Sequence, residues 1–261
     1  MSTIHRTPPF IRSLKDLHII ESFDPITDKP KYVTFYIVTP DDEVYFGQSF
    51  KSRRDLTLAD CIPMLKYVDD EEIYPRIPNG ITLTVANDLT EPEVWIKRPG
   101  LNSYESLKGT DYIPKEVLGE TLIMEKISKT PHPNIVKYLG CHVRRGYITA
   151  LILERLPQTL ANSVGTAALK EIDVSKFLES LSSAVKYLHS LGLAHNDINP
   201  YNIMIKNRAP VLIDFGSCRP FGERLQSLGT PGWYEEEFNT SEKKHDDYAL
   251  WKLRQWFDNP C

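Results

Sequence analysis

The sequence has few cysteines. Its four, Cys61, Cys141, Cys218 and Cys261, share no CxxC or His/Cys ligand spacing, which excludes a disulfide framework or a zinc module and points to free thiols in a reducing compartment. No apolar run approaches the roughly 18 residues that a membrane span needs. The opening "MSTIHRTPPFIRS" has no apolar core of a signal peptide. Positive charge is not in excess: the net charge is −4 and the pI about 6.0, so no basic surface argues for nucleic acid. Repeats and low-complexity tracts are absent. The expectation is a soluble protein of the cytosol or nucleus that binds neither nucleic acid nor membrane.

What is present is an ordinary globular composition, 41% apolar and 25% charged, in a chain of 261 residues, enough for one large domain or two lobes. Residues 1–30 read as irregular. "KYVTFYIVT" and "EVYFGQSF" flank the turn Pro40-Asp41-Asp42 and predict a β-hairpin. "TLADCIPMLKYV" predicts a short helix, and the acidic run "DDEE" (69–72) a solvated loop. "ITLTVA" and "EVWIKRP" predict two strands joined near Asn87-Asp88. "PKEVLGETLIMEKIS" predicts a helix with Val117, Thr121, Met124 and Ile127 on one face. "NIVKYLGCHV" and "YITALILE" read as strands. The clearest helix is "VSKFLESLSSAVKYLHSLG", where Val174, Phe177, Leu178, Leu181, Val185 and Leu188 form one apolar stripe and Gly192 stands at the C-terminal cap. Two short strands, "NIMI" and "PVLIDF", and a closing helix, "DDYALWKLRQWF", follow. Trp233 and Trp251 read as core.

The chemistry concentrates in "HNDINPYNIMI" (195–205). Asp197 is a carboxylate able to take a hydroxyl proton, and Asn202 an amide able to ligate magnesium. Asp214 opens "DFG" after the apolar run "VLI" and supplies a second metal carboxylate. Upstream, Lys97 ends "VWIK", a place from which an ammonium can meet phosphate oxygens. Positioning and charge neutralisation are what phosphoryl transfer needs.

In order and spacing this set resembles the eukaryotic protein kinases, over about residues 80–257. Lys97 matches the family's strand lysine, Asp197 and Asn202 its catalytic loop, and Asp214-Phe215-Gly216 its DFG. "HPNIVKYLG" (132–140) and "GTPGWYEEE" (229–237), with Glu237 last, look like two further family segments. Asp246 resembles the aspartate that braces the catalytic loop, and His195 a scaffold histidine. Glu116, Glu120 and Glu125 compete to pair with Lys97. The apolar pattern at Ile123, Met124 and Ile127 selects Glu120. The resemblance implies an α+β, bilobal kinase-like fold: an N-terminal extension with a hairpin (1–70), a β-rich N-lobe (71–155) and a shortened helical C-lobe (156–261). It also implies ATP and Mg²⁺ as cofactors. Lys97, Glu120, Glu154, Leu156 and Trp95 would contact nucleotide, Asp197 and Lys97 would be catalytic, and Asn202 and Asp214 would hold metal.

Four departures stand out. No glycine follows Gly80 before Lys97, so the glycine-rich phosphate loop is missing. Asn196 replaces an arginine that pairs with a phosphorylated loop, which leaves Ser217, Ser227 and Thr230 as ordinary loop residues. Asn199 replaces a lysine that offsets charge on the transferring group. The sequence stops at Cys261, so a protein partner is expected to complete the C-lobe. Trp95 stands where the family has a small alanine over the adenine, and crowding of that slot is expected. The leading function is slow, ATP-dependent phosphoryl transfer to protein Ser/Thr hydroxyls. The alternatives are a pseudokinase scaffold and a small-molecule kinase of the aminoglycoside or choline type.

Overall fold

The computed structural model describes residues 6–24, 27, 29–86, 93–226 and 228–260. The chain divides into two compact units, and neither is one continuous segment. The first comprises Met1–Ile81, Arg98–Val117 and Val143–Thr149, and the second Thr82–Lys97, Leu118–His142 and Ala150–Cys261. Among the described residues no helix is long and apolar enough to cross a membrane.

The first unit is built on an antiparallel sheet of β1 (His18–Phe23), β2 (Pro30–Val38), β3 (Val44–Ser49) and β4 (Lys66–Val68), in that order. The expected hairpin is β2–β3, with Val38 opposite Val44. Strand β1 lies in the stretch expected to be irregular and pairs along β2, His18 opposite Tyr36. Alternation puts Val33, Phe35 and Tyr45 on one face, where they pack with Ile11, Leu17, Leu56, Cys61 and Leu65. The predicted short helix is only α1 (Leu58–Cys61), capped by Thr57, and its expected continuation "KYV" is β4. The acidic run is not a loop but α2 (Asp70–Ile73), and its carboxylates have partners. Asp70 pairs with Arg145 at 2.6 Å, Glu71 accepts from Arg76 at 2.9 Å, and Glu72 accepts from the Tyr104 hydroxyl at 2.7 Å. Tyr104 opens α3 (Tyr104–Leu107) and meets Phe46 edge-on, with ring centroids 4.7 Å apart.

Strands β5 (Val94–Lys97), β6 (Tyr138–Arg144) and β7 (Tyr147–Glu154) form a sheet in the order β5-β7-β6, most of it in the second unit, with Val143–Thr149 counted in the first. "ITLTVA" is not a strand. It touches the sheet through one parallel bridge, Val85 to Cys141, and the expected junction Asn87-Asp88 lies outside the described residues. Helix α4 (Tyr112–Ser128) begins two residues before Pro114 and buries Val117, Met124 and Ile127. The short α5 (Ala167–Lys170) precedes α6 (Val174–Ser190), which Asp173 caps by accepting from Lys176 N at 3.2 Å. Phe177, Leu178, Leu181, Val185 and Leu188 are buried as the stripe predicts, each contributing about 1.5–3 kcal/mol of transfer free energy. Val174, in the first turn, is exposed. Strands β8 (Leu193–Ala194), β9 (Ile203–Lys206), β10 (Ala209–Leu212) and β11 (Arg219–Pro220) form two small antiparallel pairs, β9–β10 and β8–β11. The closing helix is α7 (Lys243–Asp258). Trp251 is not core: it stands 56% exposed on α7, while Trp233 is half-buried.

Candidate functional site

The residues assigned to the site from the sequence, Trp95, Lys97, Glu120, Glu154, Leu156, Asp197, Asn202 and Asp214, belong to the second unit, and Glu116, a competitor for Lys97, to the first. Lys97 is the last residue of β5, opposite Leu151 of β7. Its Nζ lies 2.5 Å from Glu120 Oε1 on α4 and 2.8 Å from Asp214 Oδ1. Glu125, a competitor for Lys97, instead accepts from Thr84 N at 2.6 Å. Burial pulls the Lys97 ammonium down, but the charges of Glu120 and Asp214 outweigh it and raise the pKa. For Asp214, burial pushes upward and the Lys97 charge and hydrogen bond prevail, leaving the carboxyl below its usual range. Both groups are therefore charged at neutral pH. Phe215 N also donates to Glu120 Oε1, at 3.1 Å, so one carboxylate oxygen ties α4, β5 and the DFG segment together. Nothing in the sequence pattern signalled that backbone contact.

The catalytic-loop stretch hangs from buried Asp246 of α7. His195 N donates to Asp246 Oδ2 at 2.9 Å and Asn196 N to Oδ1 at 2.8 Å, and His189 meets the same carboxylate at 2.9 Å. His195 is fully buried, its Nε2 3.0 Å from the Ile213 carbonyl and its ring edge-on to Phe215. Asn196 adopts φ +64°, a left-handed conformation that asparagine tolerates better than most residues. Its amide donates to the carbonyls of Ala194 and Ser217 and to Ser241 Oγ at 2.9–3.0 Å.

Asp197 is held by neutral donors alone among its hydrogen bonds. Its Oδ1 accepts from Asn199 Nδ2 at 3.0 Å and Thr230 N at 2.8 Å, and its Oδ2 from Asn202 Nδ2 at 2.9 Å. Thr230 is therefore not an ordinary loop residue: its hydroxyl also accepts from Asn199 Nδ2 at 3.0 Å. Gly229 fits here because a Cβ would come within 2.8 Å of the Asn196 carbonyl. Asn199 thus keeps hydrogen bonds to Asp197 and Thr230 while bringing no charge. Ser217 contributes a carbonyl, Glu237 is exposed, and Ser227 lies outside the described residues.

The residues expected around a nucleotide base are less uniform. Glu154 ends β7, and its carboxylate accepts from Lys137 N at 3.0 Å and pairs with the Lys206 ammonium, so its side chain is engaged. Leu156 is half-buried. Trp95 is 52% exposed, with the Arg155 guanidinium 5.5 Å from its ring centroid. Arg155 is a partner that the sequence pattern did not reveal. On the far edge of the sheet, Cys141 N donates to Thr84 O at 2.8 Å and Ala86 N to Cys141 O at 3.0 Å. Gly140, at φ +129°, permits this approach, since a Cβ there would lie 2.7 Å from Thr84 O.

The set of Lys97, Glu120, Asp197 and Asp214 holds one ammonium against three carboxylates. That balance favours a cation together with an anionic ligand. With its amide nitrogen committed to Asp197, Asn202 has its amide oxygen left as a metal donor, and Asp214 offers a half-exposed, ionised carboxylate. These oxygens fit Mg²⁺. Among the described residues no group of three or more His, Cys, Asp or Glu could hold a metal alone. Phosphate oxygens would have to complete the coordination.

Comparison with known proteins agrees with the geometry. A family model described as the protein kinase domain matches residues 80–253, more than half of the chain. The chain is 28% identical over 200 residues to the serine/threonine-protein kinase STE20 of Saccharomyces cerevisiae, an alignment covering 75% of this chain and 20% of that protein. It is 28% identical to the serine/threonine-protein kinase CHK1 of the same yeast, covering 53% of this chain and 28% of the relative. To the probable serine/threonine-protein kinase mkcD of Dictyostelium discoideum it is 31% identical, covering 41% and 17%. The chain therefore spans under a third of the length of each of these relatives. With the lysine, the loop aspartate and the DFG segment assembled in one unit and the family model running across all three, the chain belongs to the protein kinase family.

Proposed function

We propose that this chain transfers phosphate from ATP to Ser/Thr hydroxyls of a protein substrate, slowly. The observation that carries the reading is Lys97 Nζ held at 2.5 Å from Glu120 and 2.8 Å from Asp214, in the same unit as Asp197 and Asn202. The serine/threonine kinases among its relatives support the hydroxyl class. In this reading Lys97 meets phosphate oxygens and Glu120 holds it there. Asp197 orients the attacking hydroxyl and takes its proton. Asn202 and Asp214 would hold Mg²⁺, which supplies charge neutralisation on the transferring group. Trp95, Glu154 and Leu156 surround the base, with Glu154 contributing through its backbone.

Slowness follows from two features. Asn199 reproduces hydrogen bonds but not a cation, and losing one stabilising group of this kind costs on the order of 10²–10³ in rate. Residues 84–86 are fastened to β6 and α4 rather than paired with β5, so they give the phosphates no backbone cover. The same fastening favours a second reading, a pseudokinase scaffold that binds nucleotide weakly or not at all. A radiolabelled phosphate-transfer assay with Mg²⁺ or Mn²⁺ separates the two, wild type beside Asp197→Asn. Transfer by the wild type alone is expected. Equal incorporation by both proteins would remove Asp197 from the mechanism, and none by either would leave the scaffold.

A further inference from the structure

Helix α7, which lies wholly in the second unit, buries one side and displays the other. His245, Asp246, Ala249, Leu253 and Trp256 are its buried residues, with Asp246 holding the catalytic-loop stretch. The outer side follows the i, i+3, i+4 and i+7 spacing of a single helix face and carries Lys244, Asp247, Tyr248, Trp251, Arg254 and Asp258. Trp251 stands in its middle, 56% exposed, with its ring 5.5 Å from that of Tyr248 and tilted by 40°. Lys244, Asp247, Arg254 and Asp258 are exposed around the two rings. Packing within the chain accounts for the inner residues. It gives no reason for an indole on the outside, because an exposed ring forgoes the gain that burial brings.

The charges on this face have an order. Counted from Trp251, a lysine stands seven residues before, an aspartate four before, an arginine three after and an aspartate seven after. Each sign on one side of the indole has the opposite sign at nearly the same distance on the other. A helix packed antiparallel against a second copy of itself brings residues before the centre opposite residues after it. Centred on Trp251, that arrangement sets Lys244 of each copy against Asp258 of the other and Asp247 against Arg254, and the twofold axis repeats both pairs. A parallel second copy would set like charges together. A different partner drawn by charge would need a net charge on this face, and here two cations cancel two anions. Lys244 also pairs with Glu242 of its own chain at 3.2 Å, but both side chains are largely exposed, and such a surface pair contributes little and exchanges readily.

We propose that two copies of this chain associate through α7, packed antiparallel about Trp251. The two indoles bury each other beside Tyr248, and the charge pairs fix direction and register. A helix of 16 residues, about 24 Å long, makes a small interface, so the dissociation constant is expected on the order of tens of micromolar. Sedimentation equilibrium of the full chain, from about a tenth to about ten times that concentration, tests this by mass action, and thermal midpoints report folding. Wild type should pass from monomer to dimer. Trp251→Ala should weaken association at least about tenfold, since a central tryptophan carries a large share of an interface. Lys244→Glu places two pairs of like charges together and should weaken it about tenfold, and adding Asp258→Lys should restore it to within about threefold of wild type. Neither exchange harms the helix itself, because a glutamate near its N-terminus and a lysine near its C-terminus both suit the helix dipole. A wild type that stays monomeric throughout, or runs on past a dimer, overturns the proposal. So does a dimer that Trp251→Ala leaves intact, since its interface lies elsewhere. If Trp251→Ala does not fold, the charge exchange decides alone: a loss in Lys244→Glu that Asp258→Lys recovers supports the antiparallel dimer, and an unrecovered loss, or none, sinks it.

Discussion

Two stretches of the second unit make opposite use of their hydrogen bonds. In residues 195–202, Asp246 and Asn199 hold the loop so that Asp197 carries three neutral donors in fixed directions. In residues 82–86, backbone bonds run to β6 and the Thr84 side chain to Glu125. The first stretch fixes a carboxylate and leaves an amide oxygen over, as the proposed proton transfer and metal binding require. The second spends its described hydrogen bonds on packing, and under the proposed reading residues 84–86 give phosphate no backbone cover. In that reading the parts of a phosphoryl-transfer site are kept separately.

The comparison breaks first if the loop is not catalytic. Asp197→Asn should lower phosphate transfer by more than about 10³-fold, since it removes the group that meets the hydroxyl. His195→Gln should cost about tenfold, because its ring meets the Ile213 carbonyl, Phe215 and the Asp197 backbone N–H, and so acts through the loop. Equal losses at matched thermal midpoints would mean that His195 does more than brace.

Restoring charge sharpens the same contrast. Asn199→Lys should raise kcat about tenfold and change KM for ATP much less, since the added cation acts where charge shifts during transfer. The gain is capped, because Asn199 is buried and its amide oxygen accepts from Tyr201 N at 2.9 Å, a bond that lysine cannot make. An unchanged kcat would show that another cation already serves.

Acid stability tests whether Asp214 stays charged. Its carboxyl is held below the ordinary value of 3.8, against the pull of burial, by Lys97. A depressed folded pKa contributes stability above that ordinary value and loses it as pH falls through the folded one. Asp214→Asn should therefore show a shallower fall in thermal midpoint than wild type as pH drops below 3.8. Parallel curves would mean that the Lys97–Asp214 pair is open in solution.

What could be read beforehand follows from what leaves a periodic or spaced signal. Helix α6 was legible because its apolar residues recur at helical spacing, and Lys97, Asp197, Asn202 and Asp214 because their order along the chain is itself informative. Strand β1 was not, since "HIIESF" sits beside Pro25 and Pro30 and owes its strand state to β2. "ITLTVA" has strand propensity and only a single bridge, because propensity does not supply a partner strand. Trp251 was taken for core by residue type, yet it falls on the outer side of α7. Thr230 and Arg155 act through contacts between residues far apart in sequence or without any recurring pattern, and local sequence carries no sign of those.

The smallest effect concerns Trp95, where the comparison moves from phosphate to base. Alternation along β5 puts Trp95 on the same side as Lys97, and its 52% exposure removes the option that it packs into the core. Arg155 lies 5.5 Å from the ring centroid and donates to the Val94 carbonyl at 2.9 Å, so the indole has a cationic neighbour anchored to its own strand. An indole held there takes up space that a base would need, unless the base stacks on its free face. With no backbone cover from residues 84–86 to draw the phosphates in, a stacked base would have to supply most of the affinity, and one ring contact is worth only about 1–3 kcal/mol. Crowding is therefore the expected outcome. Trp95→Ala should tighten ATP about threefold to tenfold in calorimetry, and Arg155→Ala should tighten it less by letting the indole swing away. Weaker binding by Trp95→Ala would make the indole a stacking platform, a grip on the base that residues 84–86 do not give the phosphates under the proposed reading.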